Sequence, residues 1–330
     1  MTQRAVDIAV IGAGPCGLAV AAAAVERGLH SVVFDRGPLC ASLLGYPPYM
    51  SFFSTSEKLE IQELPFTTER ANPTRREALT YYRGVAKFFG IHLKQYHEVT
   101  AISPRPKGFT LETRRADGER EDYSAKAVVV ATGAFGEPNQ LGVPGEDLPK
   151  VSHYYREAHP YWDQDVLVVG GGNSSVEAAL ELFRVGARVT MVHFAGEFDS
   201  GVKAWILPDI LNRIEHREIA VRWRHRVVEI HPRSVILKSV NSGGIDELPN
   251  DWVLALTGWR PDSMLLQAVG VPVDQESGIP MHDPETMETP IPGLFVAGVL
   301  AAGFDANRIF IENGRHHGRQ IVHRILGVAE

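Results

Sequence analysis

The stretch DIAVIGAGPCGLAVAAAAVERGLHSVVFD, residues 7–35, decides the fold of this 330-residue chain. The apolar run at 7–11 predicts a buried parallel strand. The Ala-rich segment 17–27 predicts a helix that ends at Gly28, and 31–34 predicts a second buried strand. Together these segments predict a strand–helix–strand unit at the start of the chain.

A GxGxxG pattern, made by Gly12, Gly14 and Gly17, lies between the first predicted strand and the helix. In dinucleotide-binding units, the first glycine permits a tight turn, the second lets a pyrophosphate approach, and the third lets helix and strand pack. The helix N-terminus favours the anion. Asp35, at the end of the second strand, is suited to accept hydrogen bonds from ribose hydroxyls. A dinucleotide site is therefore expected, with a purely structural glycine turn as the alternative.

The same order of features returns in the middle of the chain. A predicted strand at 165–169 leads into Gly170-Gly-Gly172, followed by a predicted helix at 173–185 and a strand at 188–192. Ser175 stands where a third glycine often occurs, and a small residue can serve there. This repeat predicts a second nucleotide site.

Each unit closes on a similar tripeptide, Ala131-Thr132-Gly133 in the first and Leu256-Thr257-Gly258 in the second. We therefore expect an α/β fold with two Rossmann-like domains, the second inserted into the first. The predicted boundaries are 1–149 plus 286–330 for the first domain and 150–285 for the second.

Composition narrows the possible functions. The chain is 44% hydrophobic and 22% charged, with a formal net charge of -7, which gives no indication of a nucleic-acid partner. Its two cysteines, Cys16 and Cys40, exclude a disulfide framework, and no C-x-x-C is present. No metal site, membrane span or signal peptide is apparent, so a cytoplasmic protein is expected.

The second unit has no acidic residue at the ribose-reading position. Asp35 follows the first glycine of its unit by 23 positions, and the same spacing in the second unit reaches His193. Without a carboxylate to repel a 2′-phosphate, NADP is possible, and NAD stays open. The arginine expected for NADP is also missing, because Phe194 follows; Lys203 and Arg188 are the remaining cationic candidates.

Cys16 lies inside the first glycine turn, at the start of the helix. Helix N-termini stabilise thiolates, whereas a nearby pyrophosphate would oppose the charge. A small buried side chain that fills the turn is the alternative interpretation.

The motifs resemble those of thioredoxin-reductase-like flavoproteins that lack the redox dithiol, and most closely those of the bacillithiol disulfide reductase family. The segments that carry this resemblance are GAGPCG (12–17), FFSTS (52–56), GGGNSS (170–175), WILP (205–208) and DANRIFIENGR (305–315).

The resemblance implies an FAD enzyme that uses NADPH, with NADH possible, to reduce a low-molecular-weight disulfide such as bacillithiol disulfide. It also implies that Cys16 is the redox thiol and that the enzyme is a cytoplasmic homodimer or homotetramer. Two positions depart from the pattern. Phe194 replaces a basic residue, and Val299 follows Gly298 where thioredoxin reductases have aspartate, so we expect Asn307 to supply the missing flavin contact.

The expected cofactor-binding residues fall into two groups. In the first domain they are Gly12, Gly14, Gly17, Asp35, Arg36, Ser54, Thr55, Val99, Ala131, Thr132, Gly133, Gly298 and Asn307; in the second they are Gly170, Gly172, Asn173, Ser174, Ser175, His193, Lys203, Thr257 and Gly258.

Several interpretations stay open at this point. The aromatic stretch 46–53 would line the flavin or substrate pocket, or pack on the core, and Arg315 would bind an acidic substrate, or belong to a solvated helix face. Two other activities share the two-domain order: a ferredoxin or flavodoxin reductase, which needs no cysteine, and a flavin monooxygenase.

Overall fold

The computed structural model describes residues 4–305 and 307–328. Its strands are β1 (Arg4–Ile11), β2 (Ser31–Asp35), β3 (His92–Gln95), β4 (His97–Arg105), β5 (Gly108–Arg115), β6 (Arg120–Val130), β7 (Glu137–Pro138), β8 (Val151–Ser152), β9 (Asp165–Val169), β10 (Arg188–His193), β11 (Ala220–Trp223), β12 (His225–Ile230), β13 (Ser234–Ser239), β14 (Ile245–Pro249), β15 (Trp252–Ala255), β16 (Trp259–Arg260) and β17 (Leu294–Val296). Its α-helices are α1 (Pro15–Glu26), α2 (Ala41–Leu44), α3 (Arg75–Phe88), α4 (Asn173–Arg184), α5 (Leu207–Glu215), α6 (Met264–Ala268), α7 (Ile311–Gly314) and α8 (His317–Leu326).

A seven-stranded sheet forms the centre of the first unit, in the order β3-β2-β1-β6-β5-β4. β1 runs parallel to both β2 and β6, and β17 extends the same sheet beside the end of β6. Helix α1 is buried from Leu18 to Ala24, and its alanines allow a close approach to α8. At the nearest point, a β-carbon built at Gly318 would lie 2.5 Å from the Ala19 carbonyl oxygen.

The second unit repeats the core of the first. Its sheet has the order β11-β10-β9-β15-β8, in which β9 runs parallel to β10 and β15 as β1 does to β2 and β6. A separate antiparallel sheet, β12-β13-β14, covers residues 225–249, which the sequence patterns left unassigned. The predicted α/β fold with two Rossmann-like units is confirmed, with a third, antiparallel layer added.

The chain divides into two compact units: one runs to Glu137 and resumes at Arg260, and the other is Pro138–Trp259. The chain passes from the first unit to the second after Glu137 and returns after Trp259. Both points come earlier than the expected boundaries at 149/150 and 285/286. The first boundary differs because Leu141 and Leu148 pack on the core of the second unit, so residues 138–149 belong to that unit. The second boundary differs because Leu266 is buried in the core of the first unit.

The N-terminus of α3 anchors the loop that precedes it. Thr74 and Glu77 form a reciprocal capping box: the Thr74 hydroxyl accepts from the Glu77 amide at 3.2 Å, and the Glu77 carboxylate accepts from the Thr74 amide at 2.7 Å. The next residue ties down the preceding loop, because the Arg75 amide donates to the Met50 carbonyl at 2.8 Å. The cap thus helps to position the aromatic stretch 46–53.

Replacing Thr74 by alanine should loosen the first turn of α3. A lost N-cap costs about 1 kcal/mol, equal to about fivefold faster opening of that turn. Native-state hydrogen exchange of the Glu77 and Ala78 amides measures this. Thr80→Ala is the control, because the Thr80 side chain is exposed and its hydroxyl forms hydrogen bonds with Arg76 and Arg83 of the same helix. Equal exchange in both variants would contradict the capping argument.

In the described ranges, no helix is long and apolar enough to cross a bilayer.

Candidate functional site

The first glycine turn is closed by two contacts that only glycine permits. Gly12 has φ +110°, its amide donates to the Phe34 carbonyl at 2.7 Å, and a β-carbon there would overlap the Ala131 carbonyl. A β-carbon on Gly17 would likewise overlap the Gly12 carbonyl, whereas Gly14 has open space around it. An anion approaching Gly14 would therefore meet bare backbone at the N-terminus of α1, which fits a dinucleotide pyrophosphate.

Asp35 faces the first glycine turn and stabilises it through hydrogen bonds. Its two carboxylate oxygens accept from the Ala13 amide at 2.7 Å and from the Gly37 amide at 2.8 Å. Each oxygen keeps a lone pair for a ribose hydroxyl. Arg36 is exposed, and its Nη2 would lie 3.0 Å from a β-carbon on Gly136, so it reaches the segment that follows β6.

The remaining predicted residues of the first unit are more dispersed. Because the parallel strands end at one edge of the sheet, that edge collects the glycine turn, Asp35, the segment Ala131-Thr132-Gly133 and Gly298. Val99 instead lies buried in β4, Asn307 lies in an exposed turn, and Ser54 and Thr55 are half-buried ahead of the short helix Ser56–Leu59.

Cys16 sits in a slot formed by two distant glycines. A β-carbon on Gly298 would lie 3.0 Å from the Cys16 Sγ, and one on Gly314 would lie 2.9 Å from it. The Gly298 amide in turn donates to His317 Nδ1 at 3.1 Å, which places the proton of that ring on Nε2. The thiol is half-buried between the start of α1 and the C-terminal segment.

Neither titratable group in this cluster is charged at neutral pH. Burial raises the pKa of the Cys16 thiol to about 12. Burial, with smaller contributions from the neighbouring His282 and His316, lowers the pKa of His317 to about 4. Burial also raises the pKa of the other cysteine, Cys40. Cys16 is thus a protonated thiol, not the stabilised thiolate that its helix position alone would favour.

The second glycine turn repeats the first with one change. Gly170 has φ +140°, its amide donates to the Val192 carbonyl at 3.0 Å, and a β-carbon there would overlap the Leu256 carbonyl. Ser175 replaces the third glycine, and its hydroxyl donates to the Gly172 carbonyl at 2.8 Å. A small hydroxyl side chain therefore closes the turn from inside.

Asn173 connects this turn to the segment 199–203. Its side-chain amide donates to the Gly201 carbonyl at 2.9 Å, and its carbonyl oxygen accepts from the Lys203 amide at 2.9 Å. Asn173 and Lys203 therefore lie together beside the turn, as do Gly170, Gly172 and Ser175. Ser174 is exposed on the first turn of α4.

Thr257 and Gly258 hold the chain segment that enters the second unit. The Thr257 hydroxyl donates to the Asn139 carbonyl at 2.6 Å, and the Gly258 carbonyl accepts from the Asn139 amide at 3.0 Å. These contacts already engage both residues in structural hydrogen bonds.

His193 lies under the second glycine turn. It is 3% exposed, and a β-carbon on Gly171 would lie 2.5 Å from its ring. Neither ring nitrogen has a hydrogen-bond partner within the described residues, and the Asp199 carboxylate lies 3.4 Å from Nε2. Burial lowers the pKa of His193, so the ring is neutral.

Arg188 does not belong to this site. It begins β10, at the opposite end of the strand from His193, and forms ion pairs with Asp163 at 2.6 Å and Asp165 at 2.7 Å. Its candidacy as a phosphate-binding cation is therefore wrong.

The open interpretations of the first unit are also clarified. Arg315 donates to the Glu57 carbonyl at 2.9 Å and to the Glu60 carbonyl at 2.7 Å, so it serves to hold the chain rather than to bind an acidic substrate. The aromatic stretch divides: Phe52 is buried in the core, whereas Tyr49 and Phe53 are exposed.

Gly314→Ala should displace the Cys16 side chain and lower the melting temperature, because overpacking of a filled slot costs about 1–3 kcal/mol. Gly84→Ala is the matched control. Gly84 lies in the exposed part of α3 with nothing within 4 Å of a β-carbon, so it should raise the melting temperature. Differential scanning calorimetry of both variants tests this. The slot argument fails when Gly314→Ala behaves like the control.

The alkylation of Cys16 by iodoacetamide should accelerate about tenfold per pH unit from pH 7 to pH 10, because only the thiolate reacts. Peptide mass spectrometry follows each cysteine separately. Cys40 is 0% exposed and should stay unmodified, which reports that the protein remains folded. A rate for Cys16 that levels off below pH 8 would contradict the raised pKa.

Comparison with known proteins shows the relatives of this chain. Residues 9–298 match the family described as pyridine nucleotide-disulphide oxidoreductase. Bacilliredoxin reductase Bdr of Bacillus subtilis is 43% identical over 317 residues, 96% of each chain. The structure of bacillithiol disulfide reductase Bdr from Bacillus cereus matches with a TM-score of 0.95 and 41% identity, over 98% of this chain and 99% of that one. The Staphylococcus aureus enzyme of the same name gives a TM-score of 0.91 and 38% identity, over 98% of this chain and 99% of that one.

Proposed function

Because this chain belongs to the pyridine nucleotide-disulphide oxidoreductase family and resembles the Bdr reductases along its whole length, we propose that it uses NADPH and a bound FAD to reduce bacillithiol disulfide. The resemblance that the sequence motifs indicated is confirmed, and the protein is an oxidoreductase. We expect it to act in the cytoplasm as a homodimer or homotetramer.

The observation that carries the proposal is the repeated glycine turn. Each unit places a glycine at the N-terminus of a helix: Gly14, with open space around it, in the first unit, and Gly172, with the Asp199 carboxylate beside it, in the second. Asp35 is suited to the ribose of FAD in the first unit. The second unit lacks such an acid, which suits a nucleotide with a 2′-phosphate.

The reaction consumes one NADPH and one proton for each disulfide and releases two thiols and NADP⁺. Bound FAD would supply the electron carrier between the nicotinamide and the disulfide. The chain holds both nucleotides through Gly12–Gly17 and Gly170–Ser175.

Cys16 is the proposed thiol that meets the substrate. It is half-buried beside the first glycine turn, and the chain has no C-x-x-C to serve instead. Its raised pKa means that it attacks a disulfide only after another group has taken its proton. A neutral thiol is also compatible with the phosphate charge expected at the same turn.

Anaerobic stopped-flow separates the two halves of the reaction. The flavin is first reduced by one equivalent of NADPH and then mixed with bacillithiol disulfide. Cys16→Ser should keep reduction by NADPH but lose reoxidation by the disulfide by about two orders of magnitude or more. Cys40→Ser is the matched control, because Cys40 is fully buried and its thiol donates to the Ala13 carbonyl at 3.6 Å.

Two results would contradict the proposal at different points. Reoxidation at the wild-type rate in Cys16→Ser would remove Cys16 from the chemistry while leaving the disulfide reductase activity. No reoxidation of the wild-type flavin by disulfides, together with rapid electron transfer to ferredoxin, would contradict the disulfide as substrate.

A further inference from the structure

The end of β10 lacks the charges that usually distinguish the two nicotinamide nucleotides. His193 occupies the ribose-reading position as a buried, neutral ring, and the exposed Phe194 stands where a basic residue would contact a 2′-phosphate. An enzyme that prefers NADPH must then obtain its cations from another element of the second unit.

The chain that follows strand β11 brings cationic side chains to the end of β10. Strand β11 runs parallel to β10, with Trp223 paired with His193, and the chain then turns at Arg224, which has φ +57°. The Arg224 amide donates to the Ala195 carbonyl at 2.9 Å, so the turn is fastened directly to the segment that follows β10.

Two guanidinium groups lie on that segment. Arg226 is stacked on Phe194, with its Cζ 4.6 Å from the ring centroid. Arg224 lies against Gly196, where a β-carbon would be 3.0 Å from its Nε. Both side chains are exposed, and throughout residues 4–305 and 307–328 neither has a carboxylate partner.

We propose that Arg224 and Arg226 bind the 2′-phosphate of NADPH, in place of the basic residue missing after β10. The stacking on Phe194 holds the plane of Arg226 while its N–H groups stay available at the edge, which is the arrangement that suits bidentate phosphate recognition. The phenylalanine thus becomes a platform for an arginine supplied by β12. This assignment rests on the proposed nicotinamide nucleotide site at the second glycine turn.

Acidic residues also lie on the segment after β10, where the exposed Glu197 follows Gly196 directly in the chain. The Asp199 carboxylate would lie 3.3 Å from a β-carbon on Gly172, beside the turn where the pyrophosphate would bind. The two arginines lie beside Phe194 and Gly196, beyond the end of β10.

The test measures binding of nucleotide fragments to the FAD-loaded, full-length protein, which needs no turnover. Isothermal calorimetry with adenosine 2′,5′-diphosphate and with 5′-AMP compares ligands that differ only in the 2′-phosphate. The wild type should bind the diphosphate at least about tenfold more tightly than 5′-AMP. Arg224→Gln and Arg226→Gln should each weaken the diphosphate by about tenfold and leave 5′-AMP unchanged.

Arg233→Gln is the matched control, because Arg233 is exposed in the turn between β12 and β13 and its loss changes the net charge equally. It should leave both affinities unchanged. Unchanged diphosphate affinity in both arginine variants would overturn the assignment, as would an equal loss for both ligands or a loss of the same size in Arg233→Gln.

Failure of this inference is distinguishable from failure of the proposed function. A wild type that binds both fragments equally, yet reduces bacillithiol disulfide with NADPH, would overturn the phosphate site alone. Selective loss of diphosphate binding in the two variants of a protein that reduces no disulfide would support the phosphate site and contradict the function.

Discussion

The parallel strands of both units depend on one backbone turn, made twice. In each unit the amide of the first glycine donates to the end of the second strand, and the absent β-carbon lets the turn close on the carbonyl of the strand on the other side. The partners are Phe34 and Ala131 in the first unit, and Val192 and Leu256 in the second. This turn sets the spacing of three neighbouring strands and leaves a helix N-terminus open to an anion. The proposed nucleotide sites are therefore a consequence of how the sheets are joined.

The same constraint explains the position of Cys16. Because the turn delivers the chain directly into α1, the thiol lies at the sheet edge that also receives the end of β17 and the end of α7. Gly298 and Gly314 leave room for it there, so three residues far apart in the sequence form one packed cluster. Burial in this cluster outweighs the helix N-terminus and raises the pKa of the thiol.

The parts of the structure that local patterns describe could be predicted from the sequence. The repeat of strand, glycine turn, helix and strand predicted both units. Long-range placements could not be predicted. Nothing near Arg224 or Arg226 in the sequence indicates that the turn after β11 and the start of β12 lie at the end of β10, and the antiparallel strands β12–β14 lack a distinctive period. The role of Arg315 likewise depends on carbonyls more than 250 positions away.

The central claim is that one chain holds two dinucleotides on two copies of one turn. The most direct measurement is a crystal structure of the protein grown with FAD and NADP⁺. We predict the FAD pyrophosphate over Gly14 and the NADP⁺ pyrophosphate over Gly172, each at the N-terminus of its helix. A structure with a nucleotide on only one turn, or with either pyrophosphate bound away from these glycines, would contradict the account.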